Sequence, residues 1–282
     1  MSNWQFIKLR LIRLHPLVIV GSILGLITFI FDPFSNLLST YGFSQTFLIF
    51  VSSVFLIPYP VVAERYFNLF NLNAPAWSLF WEYVINLFYA FVFIKLKKRS
   101  LTALTILAAI LLCYVAFTSK NLAGGWGGTS FWDGGARVLF SFLMGMLIFR
   151  SKLIIKNNLG FIALSALLFI TFLVPYNDEL NYIVEPIIVI IYFPIIILLG
   201  AGATLKPSLK NIAKLSGDIS YPLYITHYPF IWIFLTYCAT QKPNMATLSL
   251  IIPISVAFLV IVAFLIMKYI DVPIRKYLIR RL

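Results

Sequence analysis

The chain has 282 residues, of which 61% are hydrophobic and only 11% are charged. Soluble domains are about half apolar and about a quarter charged, so this composition excludes a soluble globular protein. The formal net charge of +13 does not indicate a nucleic-acid partner, because basic cytoplasmic loops produce such a charge in membrane proteins. Cys113 and Cys238 lie in apolar runs and indicate neither a disulfide framework nor a metal site.

Nine apolar segments follow one another along the chain, and several approach or reach the ~20 residues needed to cross a bilayer. They lie at residues 15–31, 44–63, 76–94, 101–118, 135–149, 158–174, 183–203, 221–240 and 247–268. Lysines and arginines cluster before the first segment, after the third, fifth and seventh, and at the C-terminal end. The positive-inside rule assigns these five clusters to the cytoplasm.

The clusters at the N-terminus and at residues 95–99 are both assigned to the cytoplasm, so the chain between them must cross the membrane an even number of times. Two crossings are therefore allowed, and three are not. The segment at 44–63 is the weakest candidate because it ends in Pro58-Tyr59-Pro60, and we interpret it as re-entrant or lying along the outer face. The sequence therefore predicts an all-α transmembrane bundle of about eight spans plus one re-entrant or interfacial segment. We expect one domain over residues 1–282, with both termini in the cytoplasm.

The third segment, WSLFWEYVINLFY, contains Glu82 in an otherwise apolar run. At 1.5 Å per residue Glu82 lies about 9 Å below the outer surface of the predicted bundle. One helical face carries four polar residues: Ser78, Glu82, Asn86 and Tyr89. A carboxylate at this depth points to function, here the orientation or deprotonation of an acceptor hydroxyl. The alternative is a structural ion pair with Arg137 or Arg65.

The stretch SYPLYITHYP at residues 220–229 places Ser220, Tyr224, His227 and Tyr228 on one helical face. His227 lies about 9 Å in from the cytoplasmic side by the same helical rise. It is either a general base or hydrogen-bonding anchor, or a helix-packing histidine with a tyrosine partner. A direct contact between Glu82 and His227 is not expected, because about 12 Å separates them along the normal of a ~30 Å core.

The stretch FIKLRLIRLHP at residues 6–16 carries Lys8, Arg10 and Arg13 close to the start of a span. Arginine forks suit the phosphates of a nucleotide-like donor or of lipid head groups. The alternative is the ordinary positive-inside signal.

These stretches, in this order, resemble the membrane-bound acyltransferase family 3, the integral O-acyltransferases of bacterial surface polysaccharides. FIKLRLIRLHP resembles the family's arginine-rich segment that ends in proline, and WSLFWEYVINLFY its Trp-Ser-Leu, Glu, Phe-Tyr stretch. GGARVLFSFLMGMLIFR resembles its Arg-to-Gly span, and SYPLYITHYP followed by DVPIRKYL its C-terminal signature.

The resemblance implies transfer of an acyl group, often acetyl, from cytoplasmic acyl-CoA to a hydroxyl of a surface polysaccharide such as O-antigen, or of its lipid-linked precursor. It implies a location in the bacterial inner membrane, in contact with lipid, and no metal. The expected catalytic residues are Glu82 and His227. The expected substrate-binding residues are Arg10, Arg13, Trp77, Tyr89, Arg137, Tyr221 and Tyr224.

Members of this family open with two further spans, the first of which carries an Arg and then a His proposed as the catalytic base. The present chain begins after both, so the resemblance implies an N-terminally incomplete domain whose base would be His227, His15 or Glu82. Three alternatives to an active enzyme follow: an inactive remnant, a subunit whose partner carries the missing helices, or a transporter of polysaccharide precursors. The transporter is the least favoured, because no internal repeat is visible.

Overall fold

The computed structural model describes residues 2–282, which form helices joined by irregular segments and contain no β-strand. The predicted all-α fold is confirmed. The α-helices are α1 Asn3–Ile30, α2 Leu37–Val54, α3 Ala76–Phe91, α4 Lys98–Ser119, α5 Phe131–Ser151, α6 Phe161–Ile170, α7 Asn181–Ile187, α8 Phe193–Gly202, α9 Lys210–Gln241, α10 Met245–Ile266 and α11 Val272–Ile279. Single π-helical turns at Ile188–Tyr192 and Met267–Asp271 make α7–α8 and α10–α11 continuous.

Every predicted apolar segment contains a helix, and in the described part of the chain six helical stretches are long and apolar enough to cross a membrane. These are Asn3–Ile30, Leu37–Val54, Lys98–Ser119, Gly128–Ser151, Asn181–Gly202 and Met245–Ile279. The remaining three differ in length and polarity: α3 has 16 residues, α6 has 10, and α9 has 32 but carries two internal prolines and many polar groups. The count of eight spans stays a prediction.

The segment predicted at 44–63 has different bounds in the structure. Its helix begins at Leu37 and ends at Val54, and Gly42 breaks it with a backbone φ of 68° and ψ of 171°. Residues 55–62 are not helical, since Pro58 and Pro60 lack the amide N–H that a helix interior requires. The unbroken part, residues 43–54, is about 18 Å long, shorter than a ~30 Å bilayer core. Its re-entrant placement stays a prediction.

The chain forms two compact units. The first comprises Met1–Phe80, Trp126–Gly128 and Leu215–Leu282, and the second comprises Trp81–Gly125 and Thr129–Lys214.

In the first unit, α1 and α9 run parallel. Tyr221 Oη donates to the Leu14 carbonyl at 2.9 Å near one end, and Thr236 Oγ1 donates to Asp32 Oδ2 at 2.7 Å near the other. Gly21 provides the close approach between them: a Cβ built there would lie 2.8 Å from the Ile225 carbonyl oxygen. The two helices therefore hold a fixed axial register.

The second unit is built on α4 and α5. Leu101, Leu112 and Leu143 are fully buried in its apolar core. Arg150, near the end of α5, donates to the Leu96 carbonyl at 2.7 Å and to the Phe93 carbonyl at 3.0 Å. This guanidinium thereby ties α5 to the helical turn at Phe93–Lys95, whose Phe93 carbonyl also accepts from the Leu96 amide at 3.2 Å.

Candidate functional site

A cavity of about 380 Å³ in the first unit, which we call the aromatic cavity, lies where the start of α3 meets α9. Its volume is within the ~300–1,000 Å³ of small-molecule sites. The lining residues are Arg65, Tyr66, Asn68, Ala74, Pro75, Trp77, Trp126, Tyr224, His227, Tyr228, Trp232 and Leu235. The structure thus brings together three of the predicted site residues: Trp77, Tyr224 and His227.

Helical periodicity explains the α9 side of this cavity. Tyr224, His227 and Tyr228 are three and four residues apart, so they share one face of the helix. Tyr224 Oη lies 2.6 Å from Ser78 Oγ and 3.3 Å from the Pro75 carbonyl oxygen. These hydrogen bonds tie the first turn of α3 to α9 and hold the cavity walls in place. They also show that the depths predicted from helical rise were wrong, because Ser78 was expected near the outer surface and Tyr224 near the cytoplasmic side. The reason is that α9 begins at Lys210, well before the start of the predicted span at residue 221.

Hydrogen bonds to the helix backbone determine the tautomer of His227. Its Nδ1 lies 3.0 Å from the Leu223 carbonyl oxygen and 2.9 Å from the Tyr224 carbonyl oxygen. Carbonyl oxygens only accept hydrogen bonds, so Nδ1 carries the proton and donates it. Nε2 of the neutral ring therefore keeps its lone pair, which is the form that a general base requires.

Arg65 lines the same cavity and was not among the predicted site residues. It is only 2% exposed, and its Nη1 donates to the Asn71 carbonyl at 2.6 Å. Its guanidinium carbon lies 4.9 Å from the centre of the Phe29 ring and 5.2 Å from that of Trp232, as in cation–π pairs.

Burial lowers the pKa of Arg65 to about 9, while the negative charges of Asp32 and Glu64 act in the opposite direction and raise it. Arg65 is therefore a cation at neutral pH. A sequence signal for it exists. It is one of only four basic residues outside the five basic clusters that we predicted to be cytoplasmic, and it lies on the predicted outer side.

A second cavity of the first unit, about 390 Å³, lies between α1 and α11, and we call it the basic cavity. It is lined by Leu9, Ile12, Arg13, Val272, Arg275, Lys276 and Ile279. Arg275 forms an ion pair with the buried Asp271. The predicted residue Arg13 thus lines one cavity together with Arg275 and Lys276 of the C-terminal stretch DVPIRKYL. Arg10 is not among the lining residues, and its guanidinium carbon lies 5.3 Å from the centre of the Phe6 ring.

The other predicted site residues line neither of these cavities. Tyr221 packs α9 on α1 through its bond to Leu14. In the second unit, the Glu82 carbonyl accepts from Asn86 Nδ2 at 2.7 Å, and the Tyr89 ring lies 5.8 Å from that of Phe142.

Arg137 also belongs to the second unit, where its Nη1 donates to the Gly124 carbonyl at 2.7 Å. The predicted roles of these residues stay predictions.

The family model for the acyltransferase domain of family 3 matches residues 1–268. The chain belongs to this family. The resemblance drawn from the four sequence stretches is therefore confirmed, and the membrane location and a general acyltransferase role follow from it. Neither the curated proteins nor the solved structures contain a match to the chain.

Proposed function

We propose that the protein transfers an acyl group, in the simplest case acetyl, from cytoplasmic acyl-CoA to a hydroxyl of a cell-surface polysaccharide or its lipid-linked precursor. The observation that supports this most directly is His227. A histidine with its basic nitrogen preserved lines a ligand-sized cavity in a chain of an acyltransferase family.

The proposed reaction uses His227 first as a base and then as an acid. Nε2 takes the proton of the acceptor hydroxyl while the hydroxyl oxygen bonds to the thioester carbonyl carbon. The tetrahedral intermediate then collapses, the carbon–sulfur bond breaks, and the imidazolium returns the proton to the departing thiolate. One ester replaces one thioester, and the proton passes from hydroxyl to thiol.

The aromatic cavity suits a sugar as the acceptor. Three of the six tryptophans of the chain line it: Trp77, Trp126 and Trp232. Indole rings offer apolar faces to the C–H groups of a sugar ring, while the surrounding hydroxyl and amide groups can bind its oxygens. Tyr224, Tyr228 and Asn68 are such polar neighbours in the lining.

The basic cavity suits the donor. Arg13 and Lys276 line the cavity together with Arg275, which is ion-paired with Asp271, and guanidinium groups bind phosphates through paired N–H donors. Arg13 precedes Leu14, whose carbonyl bonds to Tyr221, and His227 lies six residues further along α9. That separation is about 9 Å along the helix axis, so one extended donor with its phosphates at Arg13 can reach the base. We retain Arg10 as a peripheral donor contact.

Glu82 is the second proposed catalytic group. It follows Ser78 by four residues and shares its face of α3. The family resemblance is what supports an orienting role for its carboxylate and substrate-binding roles for Tyr89 and Arg137. Tyr221 supports the first unit through its hydrogen bond to Leu14.

The test is O-acyl transfer by the purified chain from acetyl-CoA to a bacterial polysaccharide, measured by mass spectrometry. His227→Asn keeps an amide donor near the position of Nδ1 but removes Nε2, so we expect a loss of roughly 10²–10⁴-fold in kcat. Ser220→Ala, on the same helix and outside both cavities, is the control and should retain full activity. Unchanged turnover in His227→Asn would refute the assignment. An inactive remnant or non-catalytic subunit would show no transfer even in the unsubstituted chain.

A further inference from the structure

Arg65 is a buried cation that the proposed reaction does not use. Its Nη1 donates to the Asn71 carbonyl, but Nη2 is buried and has no hydrogen-bond partner among residues 2–282. The indole Nε1 of Trp232 is also buried, and it too has no hydrogen-bond partner among residues 2–282. Both residues line the aromatic cavity, so two residues of its lining each carry a buried N–H donor without an acceptor.

The carboxylates nearest to Arg65 do not neutralise it by contact. Asp32 Oδ1 accepts from the Phe34 amide at 3.0 Å, and Oδ2 accepts from Thr236 Oγ1 at 2.7 Å. Glu64 Oε2 accepts from Tyr41 Oη at 2.6 Å. Within the described chain, neither carboxylate forms an ion pair with Arg65.

Aromatic rings compensate the charge of Arg65 only in part. The faces of Phe29 and Trp232 attract the cation, but they supply no hydrogen-bond acceptor for Nη2. A buried charged donor gains most from a charged acceptor, because hydrogen bonds between ionised groups are the strongest in an interior of low dielectric constant. The cavity is therefore complementary to an oxyanion rather than to a neutral hydroxyl.

We propose that the ligand of the aromatic cavity is anionic, with a carboxylate or phosphate oxygen bound by Arg65 Nη2 and Trp232 Nε1. This inference rests on the proposed function only in naming that ligand as the acceptor glycan. The oxyanion has two possible sources: the carboxylate of an acidic sugar, or the phosphate that joins a sugar to its lipid carrier. Tryptophans beside Arg65 accommodate the sugar ring in either case.

Binding without acyl donor tests the proposal. The purified full chain is titrated with glucose, glucuronate and glucose 1-phosphate, followed by tryptophan fluorescence and calorimetry. We expect at least one of the two anions to bind about 10-fold or more tightly than glucose, as a charge-assisted hydrogen bond implies. A preference for glucuronate identifies the acidic sugar, and one for glucose 1-phosphate identifies the lipid-linked sugar. Equal binding of glucose, or no binding of either anion, overturns the proposal.

Variants then locate the anion. Arg65→Gln should abolish the preference for the anion, and Trp232→Phe, which keeps a ring but loses the N–H, should reduce it about threefold. Arg150→Gln is the matched control, because Arg150 also donates to backbone carbonyls but lines neither cavity. A preference retained in folded Arg65→Gln overturns the proposal. Should that variant not fold, Trp232→Phe decides, because a loss of anion preference in it cannot come from an anion bound in the basic cavity, which Trp232 does not line; an unchanged preference overturns the proposal.

The proposed acyl transfer and the proposed anionic ligand can be refuted independently of each other. Arg65-dependent anion binding without acyl transfer would refute the enzymatic proposal alone. Transfer to a neutral glycan, with no preference for the anions, would refute the anionic ligand alone.

Discussion

Gly21 offers a direct test of how the first unit is held together. A Cβ at this position would lie 2.6 Å from Asn73 Nδ2, 2.8 Å from the Ile225 carbonyl oxygen and 3.1 Å from Ile225 Cγ1. The carbonyl belongs to the backbone of α9 and cannot rotate away. The Asn73 amide can move, but only by giving up its 2.7 Å hydrogen bond to that same carbonyl.

We therefore expect Gly21→Ala to destabilise the protein. Overpacking costs about 1–3 kcal/mol and the lost hydrogen bond about 1 kcal/mol. Alanine regains up to about 1 kcal/mol over glycine inside a helix. The net destabilisation is then about 1–3 kcal/mol.

Thermal unfolding of the protein in detergent provides the assay. At ~2–4 °C per kcal/mol, we expect Tm to fall by roughly 2–12 °C. Gly145→Ala in α5 is the matched control, because beyond the neighbouring residues and backbone of its own helix nothing lies within 4 Å of the Cβ it would add, and it should be neutral or stabilising. Equal Tm values for the two variants would show that the contact of Gly21 with Asn73 and Ile225 does not hold α1 against α9.

Three further predictions concern ligands and turnover. Glu82→Gln should lower kcat about 10²-fold because it removes the orienting carboxylate. Glu179→Gln, in an exposed loop, is the control and should not change kcat. Equal rates for the two variants would exclude a catalytic Glu82. Arg13→Gln should raise KM for acetyl-CoA about 10-fold with kcat unchanged. The increase in KM should be larger than in Arg10→Gln, because only Arg13 of the two lines the basic cavity. A larger increase in Arg10→Gln would contradict the donor assignment. Affinity for the preferred anion should stay constant from pH 7 to 8. The pKa of Arg65, about 9, keeps the guanidinium charged in this range, and the phosphate and carboxylate are already ionised. A fall of affinity across this range would implicate another group.

The helical framework followed from the sequence. Apolar runs of nearly bilayer length can satisfy their backbone hydrogen bonds only as helices in a membrane, so all nine predicted segments contain one. The family was likewise visible in local stretches, because each motif lies within one helix or its flank. The segment at 44–63 is helical only as far as Val54, because Pro58 and Pro60 follow, while the positive φ of Gly42 breaks the helix just before the segment begins.

The composition of the site depended on tertiary contacts. Sequence periodicity shows which residues share a helical face, but it does not show which helices are neighbours. Helical rise gave wrong depths for α3 and α9, since Ser78 and Tyr224, predicted near opposite surfaces, are hydrogen-bonded. From the sequence, Arg65 was named only as a possible ion-pair partner of Glu82, and its cavity role depends on Trp232, 167 positions away along the chain. Arg13 was predicted from its own stretch, whereas Arg275 and Lys276 joined it only through the packing of α11 on α1. A binding site requires atoms from distant segments at fixed distances, and those distances come from packing and hydrogen bonds such as Tyr221 to Leu14.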